Sequence, residues 1–326
     1  MLARIAAFVA AVAMVAGALY VRGRADEGEV AANGRGLTLV CVPELELVCR
    51  AAVAADDRIE LTVEPAAATR ARLLTATAED APDAWLTLSA LGQAVDEVRV
   101  SSSNERLFSA STVVARSPLV AAIWKPAADA LRQRCPAAVD WKCVAGATNE
   151  GVFRLGTADP SSSEGLTVLT AFGAALLGDP NFFTNDLDDP TRSALLGLKD
   201  RTGGRRREAG SLLEMVALGP AVLDGYVTTE ANAGPTLATA AAGGNVERVY
   251  LAPPATADVH LASRNGAAGR ALTEDFKGTA VAAALRTNGF WVRGSAPPSV
   301  PQPPPLPTDD GLPSPGVFAA LQEVLK

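Results

Sequence analysis

The stretch Phe153-Arg154-Leu155-Gly156-Thr157-Ala158-Asp159-Pro160-Ser161-Ser162-Ser163-Glu164-Gly165 reads as a strand, a hydroxyl-rich turn and a helix start. Phe153–Thr157 has strand character, and Ser161–Leu177 places Leu166, Leu169 and Phe172 at helical spacing. The first turn of such a helix has unpaired backbone N–H groups and a partial positive charge. Hydroxyls of Ser161, Ser162 and Ser163 beside those donors can hold a small anion or a polar solute. Ser161 and Glu164 also have the spacing of a capping box, in which each side chain satisfies the other's backbone N–H. The two readings coexist if Ser162 and Ser163 face a cleft, although Glu164 would disfavour a bound anion.

The same alternation continues on both sides. Upstream, strands are expected at Leu37–Val42, Ile59–Val63 and Ala84–Leu88, with helices at Glu44–Ala55, Thr69–Thr77 and Ala90–Val98. Ser89 stands where a helix N-cap belongs. Leu107–Arg116 reads as a long strand ended by Ser117-Pro118, and Pro126–Arg134 as a helix. Downstream, helices are expected over Pro190–Asp200 and from Leu212, and strands over Tyr226–Thr229, Val246–Leu251 and Val259–Ala262. Leu272–Asn288 reads as two helices broken at Lys277-Gly278. Strands alternating with helices imply an α/β chain built on mainly parallel sheets. Residues 296–316 are proline-rich and should form an extended linker, and 317–326 a short terminal helix with Phe318, Leu321 and Leu325 on one side.

The chain has 326 residues, 48% of them apolar and only 5% aromatic, so its cores must rest on Leu, Val and Ala. A net charge of −7 argues against a nucleic-acid partner, which would demand a dense field of Lys and Arg. The one basic cluster, Arg205–Arg207, lies among glycines and reads as a solvated loop. Residues 1–25 hold an apolar run, Ile5–Val21, between Arg4 and Arg22, the pattern of a signal peptide or signal-anchor. The remainder is therefore expected outside the cytoplasm, touching membrane only through that segment. The even set Cys41, Cys49, Cys135 and Cys143 then reads as two local disulfides, Cys41–Cys49 and Cys135–Cys143, with a four-cysteine zinc site as the alternative.

In order and spacing, Leu37-Thr38-Leu39-Val40-Cys41-Val42-Pro43-Glu44-Leu45, Pro82-Asp83-Ala84-Trp85-Leu86, Leu107–Arg116 and Phe153–Gly165 together resemble an extracellular solute-binding protein of the type II periplasmic-binding family. The resemblance is closest to molybdate- and sulfate-like binding domains and to actinobacterial substrate-binding domains found with von Willebrand A-type domains. It implies two lobes, each a mainly parallel sheet flanked by helices, joined by two crossing strands. Lobe one would comprise 37–113 plus 231–292, and lobe two 114–230. Ligand would lie in the cleft, at the carboxyl ends of strands. The candidate ligand-binding residues are Pro43, Glu44, Ser89, Ser111, Thr112, Ser161, Ser162, Ser163, Thr228, Thr229 and Glu230.

The resemblance implies binding of a small polar solute or oxyanion by a monomer without cofactor or metal, for delivery to a membrane transporter of the ABC type or for sensing. An envelope module that uses the same fold to hold a protein partner is the alternative. An enzyme is not expected. The single histidine, His260, falls inside an alternating strand, and no nucleophile elbow, zinc-protease or phosphate-loop motif occurs.

Overall fold

The computed structural model describes residues 36–179, 182, 184–202, 211–297, 316–318 and 321. The segment 1–25, the cluster Arg205–Arg207, Leu325 and most of the proline-rich linker lie outside the described residues. The elements run β1 (Leu37–Cys41), α1 (Glu46–Ala55), β2 (Ile59–Val63), α2 (Ala66–Thr75), β3 (Ala84–Leu88), α3 (Leu91–Ser101) and β4 (Ala110–Trp124). There follow α4 (Lys125–Arg134), α5 (Trp141–Asn149), β5 (Leu155–Thr157), α6 (Ser163–Leu177), α7 (Asp189–Thr202), α8 (Leu212–Leu218) and β6 (Gly225–Thr229). The chain ends its regular structure with α9 (Glu230–Thr239), β7 (Val246–Val249), β8 (Thr256–Ser263), α10 (Ala267–Lys277) and α11 (Thr279–Thr287).

The strands form one continuous mixed sheet in the order β2-β1-β3-β8-β4-β6-β5, with β7 also on β4. Parallel ladders join β1 to β2 and β3, and β5 to β6, in each case with helical chain between the paired strands. Antiparallel ladders join β8 to β3 and β4, and β4 to β6 and β7. Each half of the sheet is therefore parallel at its outer strands and antiparallel around the long strand that links them.

That strand is β4. The expected stop at Ser117-Pro118 does not occur, and the strand continues to Trp124. Residues Ala110–Pro118 face β8, whereas Leu119–Ile123 face β6. Pro118 therefore sits where the strand changes partner, and its missing N–H interrupts neither ladder. Beyond this point the side chains divide by period two. Leu119, Ala121 and Ile123 enter the larger core, while Val120, Ala122 and Trp124 enter a second core with Met215, Tyr226 and Ala233. The sheet is thus covered on both faces here. In the larger core Trp141 of α5 meets Phe172 of α6 edge to face, with ring centroids 4.9 Å apart.

The pairing moves the expected lobe boundary. Tyr226–Thr229, which the resemblance would make the second crossing strand, belongs to β6 and lies wholly in the second half, between β4 and β5. The segment after it also stays there, because α9 places Ala233 in the second core and β7 pairs with β4. The return to the first half comes between β7 and β8, not at Ala231. The helix α9 falls where no element was expected, with Gly234 and Pro235 inside it. Its Pro235 lies after the first turn, and Thr229 caps the start by accepting from Asn232 N–H at 3.3 Å.

Both local cysteine pairs are bonded, Cys41–Cys49 and Cys135–Cys143, with Cα–Cα distances of 6.5 and 6.1 Å. That sets aside the zinc alternative for these four thiols. Residues 316–318 and 321 are helical, and Val317, Phe318 and Leu321 are buried in the larger core.

Candidate functional site

At the carboxyl end of β1 the chain turns through Pro43–Leu45, one turn of 3-10 helix, before α1. The Cys41–Cys49 disulfide spans this turn, and Leu45 is buried beneath it. Glu44 is thereby held at the edge of the first half and reaches across to the second. Its Oε1 accepts hydrogen bonds from Ser163 N–H and Ser163 Oγ, both at 3.1 Å, and from Glu164 N–H at 3.3 Å. The unpaired donors at the start of α6 are therefore filled by a carboxylate from the opposite half.

The start of α6 is built by its own turn. Ser162, not Ser161, is the N-cap, and its Oγ accepts from Gly165 N–H at 3.0 Å. The expected Ser161–Glu164 capping box does not form, because Glu164 turns the other way. Its Oε1 accepts from the Thr228 hydroxyl and from Thr229 N–H at 2.8 Å. Asn232 Nδ2 in turn donates to Thr228 Oγ1 at 2.8 Å. Burial pushes the Glu164 carboxyl above the usual carboxylate range against the lowering effect of these donors, and the nearby Glu44 charge adds to the rise.

A cavity of about 330 Å³ opens beside this junction. Pro43, Glu44 and Leu88 line it from the first half, Glu164, Thr229 and Asn232 from the second. A second tie between the halves lies behind it. Ser89 Oγ and Thr167 Oγ1 are 2.5 Å apart, and Thr167 donates to Ser163 O at 2.8 Å. Ser89 is not the expected N-cap, since α3 begins at Leu91 without a side-chain cap. Ser89 has φ +75° and is fully buried, its N–H donating to Asp258 O at 2.6 Å.

The sequence matches no family model and no curated protein. Solved structures match across most of the chain. A ferric binding protein from Campylobacter jejuni superposes with a TM-score of 0.62 at 11% identity, covering 89% of this chain and 97% of that one. The periplasmic binding protein AfuA from Actinobacillus pleuropneumoniae, with exogenous fructose-6-phosphate bound, gives 0.57 at 13% identity, covering 89% and 96%. The sulfate-binding protein SubI from Mycobacterium tuberculosis H37Rv gives 0.51 at 14% identity, covering 78% and 86%. This chain has the type II periplasmic-binding fold. The fold expected from the order of motifs is the fold observed.

Within this periplasmic-binding fold the sequence-derived residues divide into groups. Pro43, Glu44 and Thr229 line the cavity; Ser163 and Thr228 bond to its two glutamates, and Ser89 lies behind. Ser162 serves as the cap and Ser161 is exposed on the turn, its N–H donating to Asp159 Oδ1 at 2.8 Å. Ser111 and Thr112 are not brought to the cavity. They face Ala262 and Leu261 on β8, which in turn face Trp85 and Leu86, so they lie toward the opposite end of the sheet from Leu88. Ser111 Oγ instead meets His260 Nδ1 at 3.0 Å. Glu230 turns away to Arg248 and to Tyr250 OH at 3.2 Å. Burial pushes the Glu230 carboxyl up, and burial with the Glu230 charge pushes Tyr250 up to about 12.

Asn232, Thr236, Asn288 and Phe290 also line the cavity and were not singled out by sequence. The first two lie on α9, hidden by Gly234-Pro235, and the last two follow α11, far from the strand ends that topology marks. Phe290 beside Gly289, just past a helix end, is the one local signal that could have drawn attention.

Proposed function

We propose that this chain is an extracytoplasmic solute-binding protein that holds a small polar solute between its halves and presents it to a membrane transporter or a sensor. The observation that carries this reading is the cavity lined from both halves at the carboxyl ends of strands, with Glu44 and Glu164 meeting beside it. A solute touching both sides favours the arrangement in which the halves are together, and that difference is what a partner protein reads. The two disulfides suit an oxidising compartment, and the apolar run Ile5–Val21 suits export.

A thermal-shift screen of the purified protein against amino acids, polyamines, sugars and oxyanions tests the proposal. A true ligand at one hundred times its dissociation constant should stabilise the protein by about 2.7 kcal/mol, without being consumed. A flat response across all classes, or turnover of a chromogenic glycoside or ester, would overturn it.

A further inference from the structure

We infer that the solute held in this cavity carries a cationic amine or ammonium group rather than an oxyanion. The inference rests on the solute-binding reading above. Carboxyl groups line the cavity from both halves, Glu44 from the turn after β1 and Glu164 from the first turn of α6, and none of the residues that line it is Lys or Arg. Glu164 is only 6% exposed, and its carboxylate is met by a hydroxyl and a backbone amide, not by a cation. Arg248 is committed to Glu230, which is not among the lining residues.

The feature that would draw an anion is already satisfied. At the α6 N-terminus, Ser163 N–H, Ser163 Oγ and Glu164 N–H all point at Glu44 Oε1. An oxyanion would have to displace Glu44 and then sit against Glu164. An ammonium group needs no displacement, because each carboxylate accepts several hydrogen bonds and only some of that capacity is used. Leu88, Pro235 and Phe290 supply apolar surface for a hydrocarbon body, the last an aromatic ring of the kind that favours cations. Asn232 and Asn288 add neutral polar groups. At about 330 Å³ the cavity is at the lower end of the range for small-molecule sites, roughly 300–1,000 Å³. Burial, helped by Glu44, raises the Glu164 carboxyl, and a bound cation would act against that rise.

Isothermal titration of the full chain with putrescine, spermidine, choline and arginine, beside sulfate, phosphate and fructose 6-phosphate, tests this. At least one amine should bind saturably and the oxyanions should not. Glu44→Gln and Glu164→Gln should each weaken that amine at least tenfold. Proton release on amine binding, read from titrations in buffers of different ionisation enthalpy, checks the same point in the unmodified protein. Binding of an oxyanion or a neutral sugar without any amine would overturn the amine assignment and leave the solute-binding reading standing. An amine whose affinity neither glutamine variant changes would also overturn it. If no probe of any class binds, both readings fall.

Discussion

Glu44 and Ser163, 119 residues apart in sequence, share two hydrogen bonds, with the Ser163 N–H and hydroxyl each donating to Glu44 Oε1 at 3.1 Å. A carboxylate of one half thus does for α6 what an N-terminal capping group does within a helix. Removing it frees those donors and cuts a direct tie between the halves. Glu44→Ala should cost about 1 kcal/mol in stability, in the range of a lost cap, and should raise the radius of gyration measured by X-ray scattering. An unchanged radius in the variant would count against Glu44 as a tie.

Glu164 makes stability depend on pH. Its folded pKa lies above that of the unfolded chain, so the folded state binds the extra proton. The stabilisation this gives is complete below the ordinary carboxyl range and is lost as pH rises through the raised folded value. Glu164→Gln keeps an oxygen to accept from Thr228 and Thr229 but cannot ionise. The melting temperature of the variant minus that of the parent should therefore climb as pH rises from the ordinary carboxyl range. A difference that stays flat from pH 4 to pH 9 would contradict this.

Gly165 is fixed by close approach rather than by its φ angle. A Cβ there would stand 2.2 Å from Asp159 O and 2.4 Å from Ala158 O, both backbone atoms. Gly165→Ala must push the turn at 158–159 off the start of α6, at a cost of about 2–3 kcal/mol. Because that turn also sets Ser162 and Ser163, ligand affinity should fall together with the urea midpoint.

The two disulfides should separate stability from binding. Each closes a short loop and should contribute about 2–3 kcal/mol. Cys41–Cys49 spans the turn bearing Glu44, whereas Cys135–Cys143 joins the ends of α4 and α5 without lining the cavity. Replacing either pair by alanine should lower the melting temperature. Only the Cys41/Cys49 replacement should also weaken the ligand, as titration of both variants would reveal.

Much of the frame was legible in the chain, because strand and helix periods are local. Ala84–Leu88 and Ile59–Val63 were bounded by apolar spacing and turn residues alone, and the start of the helix at Leu212 was read in the same way. Local rules misread the positions where tertiary contacts compete. Pro118 reads as a strand end but sits at a change of partner, and α9, with Pro235 inside it, falls where no element was expected. Ser161 and Glu164 have capping-box spacing, yet the Thr228 and Thr229 donors hold Glu164 elsewhere.

The sequence by itself determined the alternation of strands and helices and the hydroxyl-rich start of α6, both set by groups within about ten residues of one another, and it favoured the pairing of neighbouring cysteines that the structure then settled. Only the tertiary structure decided what fills that helix start. Ser162 meets Gly165 N–H locally, but Ser163 N–H and Glu164 N–H look outward to an acceptor that no neighbouring residue supplies. The sheet brings Glu44 there from the far half, and with it a cavity bordered by two carboxyl groups. Electrostatic complementarity of that kind depends on distance in space, which no local pattern of residues encodes.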